Sequence, residues 1–104
     1  MKIQDVEIKT GLDRATIRFY EKENILTPER AENGYRNYSD ADAELLLKIK
    51  LLRKLGVNLP TIKALQQGRE NLTEVLTQQI QILEQQIQND TRAKAVCIPM
   101  VRSI

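Results

Sequence analysis

The stretch Thr10-Gly11-Leu12-Asp13-Arg14-Ala15-Thr16-Ile17-Arg18-Phe19-Tyr20 decides the fold. Upstream of it, Ile3, Val6 and Ile8 are the apolar positions of a first short helix, spanning Ile3 to Lys9 and ended by Thr10-Gly11. Gly11 supplies the backbone freedom a tight turn requires. Asp13 then stands as the N-cap of a second helix, which carries Ile17 and Tyr20 or Glu21 on successive turns. Two short helices joined by a turn of about three to four residues containing glycine form a helix-turn-helix, whose second helix enters the major groove of DNA. An ordinary helical hairpin is the alternative reading of these two helices alone.

Working outward toward the C-terminus, the period and the chemistry change. The segment Thr27-Pro28-Glu29-Arg30-Ala31-Glu32-Asn33-Gly34-Tyr35-Arg36-Asn37-Tyr38 contains Asn33-Gly34, a hairpin signal for a type I′ turn with positive φ at both central residues. Arg30 and Tyr35-Arg36 then flank the tip of a two-stranded wing. Tyr38 and Arg36 are expected to face opposite ways, one toward the core and one outward. The chain's one Phe and three Tyr all lie between Phe19 and Tyr38, interleaved with Arg18, Arg30 and Arg36. Rings and guanidinium groups concentrated on one compact unit suit phosphate binding, with hydroxyl donors beside the charge.

Ser39-Asp40-Ala41-Asp42 reads as a capped start for a third helix, which continues through the leucines at 45, 46, 47, 51 and 52 to a stop at Gly56. Those leucines nearly encircle the axis, so the helix is expected to be covered on several sides. A short helix from Pro60 to Gln67 follows, with Pro60 in its first turn and Gly68 at its end. Beyond Gly68 the composition turns Gln-rich. There Leu72, Leu76, Ile80, Leu83 and Ile87 repeat at spacings of four and three, a heptad seam that calls for a partner, the simplest being a second copy of the chain. Ile and Leu placement alone would favour parallel strands, over barely two heptads.

Length and composition bound the function. A chain of 104 residues accommodates one small domain and an appendage. The net charge of +2 rules out a uniform polyanion-binding field, so affinity for nucleic acid must come from local placement. With one cysteine, Cys97, and no histidine, the chain offers no internal disulfide, no iron–sulfur ligand set and no His-dependent catalytic or metal site, and it reads as a non-enzyme without cofactor. Two Cys97 thiols in a dimer would allow at most linear coordination of a soft monovalent ion. The plain reading of Cys97 is a small apolar side chain. The sequence contains no membrane-length apolar run and its first residues lack a signal peptide's apolar region, so the expected compartment is the cytoplasm.

Three blocks, Gly11 to Glu21, Asn24 to Pro28 and Asn33 to Ser39, together with the leucine helix and the segment Leu55 to Lys63, resemble in order and spacing the N-terminal domain of MerR-family transcription regulators. The resemblance covers roughly residues 1 to 95. It implies a mainly α fold: a winged helix-turn-helix over 1–68 with a small two-stranded wing and a second helix pair, then a long C-terminal dimerisation helix over 69–96 that packs antiparallel against its twin. Residues 97–104 are left as a short tail. The implied partners are double-stranded promoter DNA, a second copy of the chain and, indirectly, RNA polymerase. The implied mechanism is bending and untwisting of promoter DNA. By the resemblance, Arg14 and Thr16 reach base edges, Arg18 and Tyr20 contact phosphate, and Arg30, Tyr35 and Arg36 form the wing's grip. Tyr38 either touches phosphate or seals the wing against the domain, and Phe19 belongs to the core.

Members of the family usually carry an effector-sensing segment after the dimerisation helix. Residues Thr91 to Ile104 are too few to enclose a drug-sized ligand, so either the chain is part of a longer regulator or its effector role differs. Two rival functions remain open at this point: a helical protein-interaction module, and an architectural winged-helix protein that bends DNA without altering promoter output.

Overall fold

The computed structural model describes residues 1–104. Its elements, in chain order, are helices α1 (Ile3–Thr10) and α2 (Arg14–Lys22), strands β1 (Glu29–Arg30) and β2 (Arg36–Asn37), and helices α3 (Asp40–Lys54), α4 (Leu59–Gln66) and α5 (Leu72–Arg102). Two compact units result, Met1–Arg69 and Glu70–Ile104.

In the N-terminal unit α2, α3 and α4 are each started by a side chain the sequence supplies. Asp13, Ser39 and Asn58 accept from the backbone N–H of Thr16, Asp42 and Thr61, and Asp42 reciprocates to close a capping box on α3. Such caps satisfy N–H groups that a helix leaves without internal partners, each cap being worth about 1 kcal/mol. The Thr16 hydroxyl first, then its backbone N–H, holds the Asp13 carboxyl below its ordinary value.

The turn between α1 and α2 is fixed from both sides. Gly11 adopts φ 70°, and its N–H donates to the Glu7 carbonyl. Thr10, 2% exposed, donates its hydroxyl to the Val6 carbonyl and accepts from the Leu12 N–H. From α3, Lys50 Nζ reaches the Thr10 carbonyl at 2.8 Å. A cation placed at the C-terminal end of α1 also opposes the helix dipole. A Cβ on Gly11 would lie 2.8 Å from that ammonium as well as forcing a left-handed conformation on an L residue.

The core lies among these helices: Val6, Ile17, Leu26, Leu46, Ile49 and Ile62 are at most 2% exposed, with Ile25 and Val57 beside them. α1 packs on α2 and α3, and α3 on α4. Lys63 of α4 pairs with Glu23 at 2.5 Å, and Gln66 donates to the Ile25 carbonyl, so α4 holds the exit from α2.

Four features differ from the sequence reading. Ile8 is 83% exposed, because only Val6 and Thr10, four residues apart, point inward from α1. α3 is covered on one face only: Ala43, Leu46 and Ile49 are buried, whereas Leu47, Leu51 and Leu55 form an exposed stripe along the other side. The wing turn is not type I′, since Gly34 (φ 83°) is its sole positive-φ residue. Instead the Gly34 N–H bonds to the Ala31 carbonyl and the Ala31 N–H to the Tyr35 carbonyl, the pattern of a type I turn closed by a glycine bulge. Finally, residues 97–102 are helical. α5 continues through Pro99, which lacks one N–H and lies on the outside of the helix, to Arg102.

Candidate nucleic-acid interface

α2 divides its residues cleanly. Ile17 and Tyr20 point into the core, while Arg14, Ala15, Arg18, Phe19 and Lys22 are exposed. Helical spacing places 15, 18, 19 and 22 on one face, with Arg14 one turn before Arg18. This arrangement exchanges two aromatic roles read from sequence. Tyr20, expected to contact phosphate, is 6% exposed and belongs to the core. Phe19, expected in the core, is 45% exposed and leans on Tyr20 with ring centroids 5.7 Å apart. An explicit helical wheel shows why: Tyr20 lies three residues from Ile17 and shares its face, whereas Phe19 lies about 200° away.

The wing is tied to α2 through Glu21, a residue to which the sequence alone gave no functional role. Its carboxylate accepts from Arg36 Nε at 2.7 Å and from the Tyr38 hydroxyl at 2.5 Å. Arg36 and Tyr38 therefore share a side of the wing rather than facing opposite ways, as residues two apart on an extended strand must. Tyr38 is 2% exposed, which resolves its two readings in favour of sealing the wing against the domain. Burial first, then the hydrogen bond to Glu21, pushes its phenol well above the ordinary value of 10. Behind it, the Tyr38 N–H donates to the Met1 carbonyl. β1 and β2 pair antiparallel with Glu29 opposite Asn37 and Arg30 opposite Arg36.

The remaining cations are arranged differently from one another. Arg14 is engaged by Glu7 of α1, with Nε and Nη2 at 3.2 and 3.1 Å from one carboxylate oxygen. Such a surface pair is worth at most about 1 kcal/mol and is easily exchanged for another acceptor. Arg30 Nη1 donates to the Gly34 carbonyl across the wing turn, and Tyr35 is 75% exposed at the wing's end. Arg18 and Lys22, exposed on α2, form no ion pair within the chain. Thr16 is half-buried, its N–H taken by Asp13. Arg14, Arg18 and Lys22 on the helix are thus exposed in the same unit as Arg30 and Tyr35 on the wing; Glu7 and Glu21 are taken up by Arg14 and Arg36, while Glu29 and Glu32 beside Arg30 stay exposed without an ion pair.

A capped helix-turn-helix followed by a two-stranded wing and a second helix pair defines a winged helix-turn-helix protein. Residues 1–69 match the family described as MerR HTH family regulatory protein. That match spans more than half of the chain, and the protein belongs to the MerR family of regulators, which are not enzymes. It is 45% identical over 60 residues to the HTH-type transcriptional regulator CueR of Salmonella typhi, covering 57% of this chain and 44% of CueR. It is 30% identical over 94 residues to the nodulation protein NolA of Bradyrhizobium sp. (strain NC92), covering 89% of this chain and 40% of NolA. The chain therefore spans less than half the length of these curated relatives. Among solved structures, HiNmlR, a MerR family regulator lacking the sensor domain, bound to promoter DNA, superposes with a TM-score of 0.68 at 28% identity, over 88% of this chain and 76% of that one. The regulator PbrR691 of Ralstonia metallidurans CH34, in complex with lead(II), shares the fold over 100% of this chain and 87% of its own, with a TM-score of 0.80 at 23% identity.

Proposed function

We propose that the protein is a dimeric, sequence-specific DNA-binding transcription regulator that acts by distorting promoter DNA. The observation that carries this reading is the Glu21 link, which joins recognition helix and wing into one surface: α2 inserts in the major groove while Arg30 and Tyr35 hold the flanking backbone. Arg14 exchanges Glu7 for a base edge, guanine being the best match to its paired donors, and Thr16 lies beside it. Arg18 and Lys22 take phosphates. Arg36 acts through Glu21, orienting the wing rather than gripping DNA with its full set of donors. The DNA-bound structure of HiNmlR, at 28% identity, supports the same use of this fold.

Dimerisation through α5 supplies the second half of the surface, so the DNA site is a pseudo-palindrome, and bending it repositions promoter elements for RNA polymerase. The expected compartment is accordingly the cytoplasm. No helix is long and apolar enough to cross a membrane.

Replacing Arg18 with Ala tests the interface. The variant should bind all sequences more weakly, and its log–log salt slope should fall by about one per protomer, because one phosphate contact is lost from each. An unchanged affinity and slope would remove Arg18 from the interface.

A further inference from the structure

α5 carries an apolar seam that continues past the point where the sequence pattern breaks. Ile80, Leu83 and Ile87 are 55%, 37% and 64% exposed; beyond them, at the same alternating spacing of three and four, stand Asp90, Lys94, Cys97 and Val101, all exposed on the same helix. Two charged residues therefore occupy consecutive seam positions in the middle of an otherwise apolar stripe. Asp90 and Lys94 are one helical turn apart, yet neither forms an ion pair within the chain.

We propose that Asp90 and Lys94 fix the register of an antiparallel α5 dimer whose two-fold axis passes at the level of Arg92. In that register Asp90 faces the partner's Lys94 and Lys94 faces the partner's Asp90, so symmetry turns one opposite pair into two. On either side Ile87 meets the partner's Cys97 and Leu83 meets the partner's Val101. Every seam position thus meets one of its own kind, apolar on apolar and charge on opposite charge.

The alternatives are worse on the same residues. Moving the axis half a heptad toward the N-terminus sets Asp90 against the partner's Ile87 and Lys94 against the partner's Leu83. Moving it half a heptad the other way sets Asp90 against the partner's Val101 and Lys94 against the partner's Cys97. A parallel dimer in register brings Asp90 to Asp90 and Lys94 to Lys94. Each of these buries charge without a partner or beside its like, at a cost well above that of an exposed pair. A single polar layer in an apolar seam is a known way to set register and partner direction. Here it also overrides the parallel preference read from Ile and Leu alone.

Two consequences follow for residues read from sequence. Each Cys97 lies five residues from the axis, so the two thiols are displaced along the coil by about 15 Å at 1.5 Å per residue. They neither join in a disulfide nor share a linear metal site. Leu72 falls one position off the seam.

The inference rests on the dimer proposed above, and the test separates the two. In the full chain with Cys97→Ala, nitroxide labels are placed at Gln85→Cys, Arg92→Cys or Pro99→Cys, all on the outer face of α5, and distances between the two copies are measured by pulsed electron resonance. The proposed register gives the shortest distance at 92, with 85 and 99 equal to each other and each displaced by about 21 Å along the axis. Equal distances at all three sites mean a parallel dimer, and a minimum at 85 or 99 means a different axis; either overturns the register while leaving the dimer intact. Absence of any intermolecular distance overturns the dimer itself.

Charge reversal gives a second readout. Asp90→Lys and Lys94→Asp should each raise the dimer dissociation constant by about tenfold or more. Mixing the two variants, or combining both changes in one chain, should restore it. A double variant no tighter than the singles would contradict the pairing.

Discussion

The two units of this chain handle their apolar residues in opposite ways. Met1–Arg69 buries Val6, Ile17, Leu46, Ile49 and Ile62 almost completely, and its one largely buried acid, Glu21, is held by Arg36. Glu70–Ile104 contains one long helix on which Ile80, Leu83, Ile87 and Val101 stand 37% to 69% exposed, with Val75 as its sole buried position. The first is a domain with its own core. The second leaves its apolar seam uncovered within one chain. A sequence pattern that looks equally apolar in both places is therefore covered within the chain in one and left open in the other.

The sharpest way to break this contrast is to truncate one side chain in each unit. Leu46→Ala removes a side chain with no exposed surface and should cost about 2–5 kcal/mol. In urea titrations that loss should be the same at every protein concentration. Leu83→Ala should leave the N-terminal unit's stability unchanged and weaken self-association, making any effect concentration-dependent. Matching behaviour of the two variants would erase the distinction between the units.

A smaller effect sharpens the description of the charged face. Tyr38→Phe deletes a hydrogen bond to a carboxylate that is largely buried, an interaction worth about 1.5–3 kcal/mol. The wing should also lose its fixed angle to α2, so DNA affinity should fall further than stability alone explains. A variant that loses stability but keeps affinity would show that wing orientation does not matter for binding.

The smallest expected effect is in pH. Because Tyr38 titrates above its unfolded value in the folded unit, the contribution of its neutral form is complete below pH 10 and is lost as pH rises beyond that. Wild type should therefore lose stability above pH 10 more steeply than Tyr38→Phe. Parallel curves would mean that the phenol is not held as described.

Much of the N-terminal unit was legible in the sequence because its signals are local. Asp13, Ser39, Gly11 and Pro60 act on their own helices within a turn or two, and each sits where its chemistry requires. What escaped depended on contacts between distant segments. Glu21 became the hub of the site only once Arg36 and Tyr38 were brought to it across the α2–wing boundary. Tyr20 and Phe19 took their expected roles from the family resemblance, although the helix's angular period places Tyr20 on the face of Ile17 and Phe19 away from it. Arg14 is engaged by Glu7, seven residues earlier and across a turn, a pairing no pattern announces. The expected tail from residue 97 is instead the last part of α5, which continues through Pro99 to Arg102.

The most direct measurement of the whole account is selection of bound duplexes from a random DNA library by the full chain, read at two salt concentrations. The expected result is an inverted repeat whose half-sites are lost together and whose recovery falls steeply with salt, as two cationic faces held by one α5 dimer require. Recovery of no motif, with only weak binding insensitive to Arg18→Ala, would contradict it.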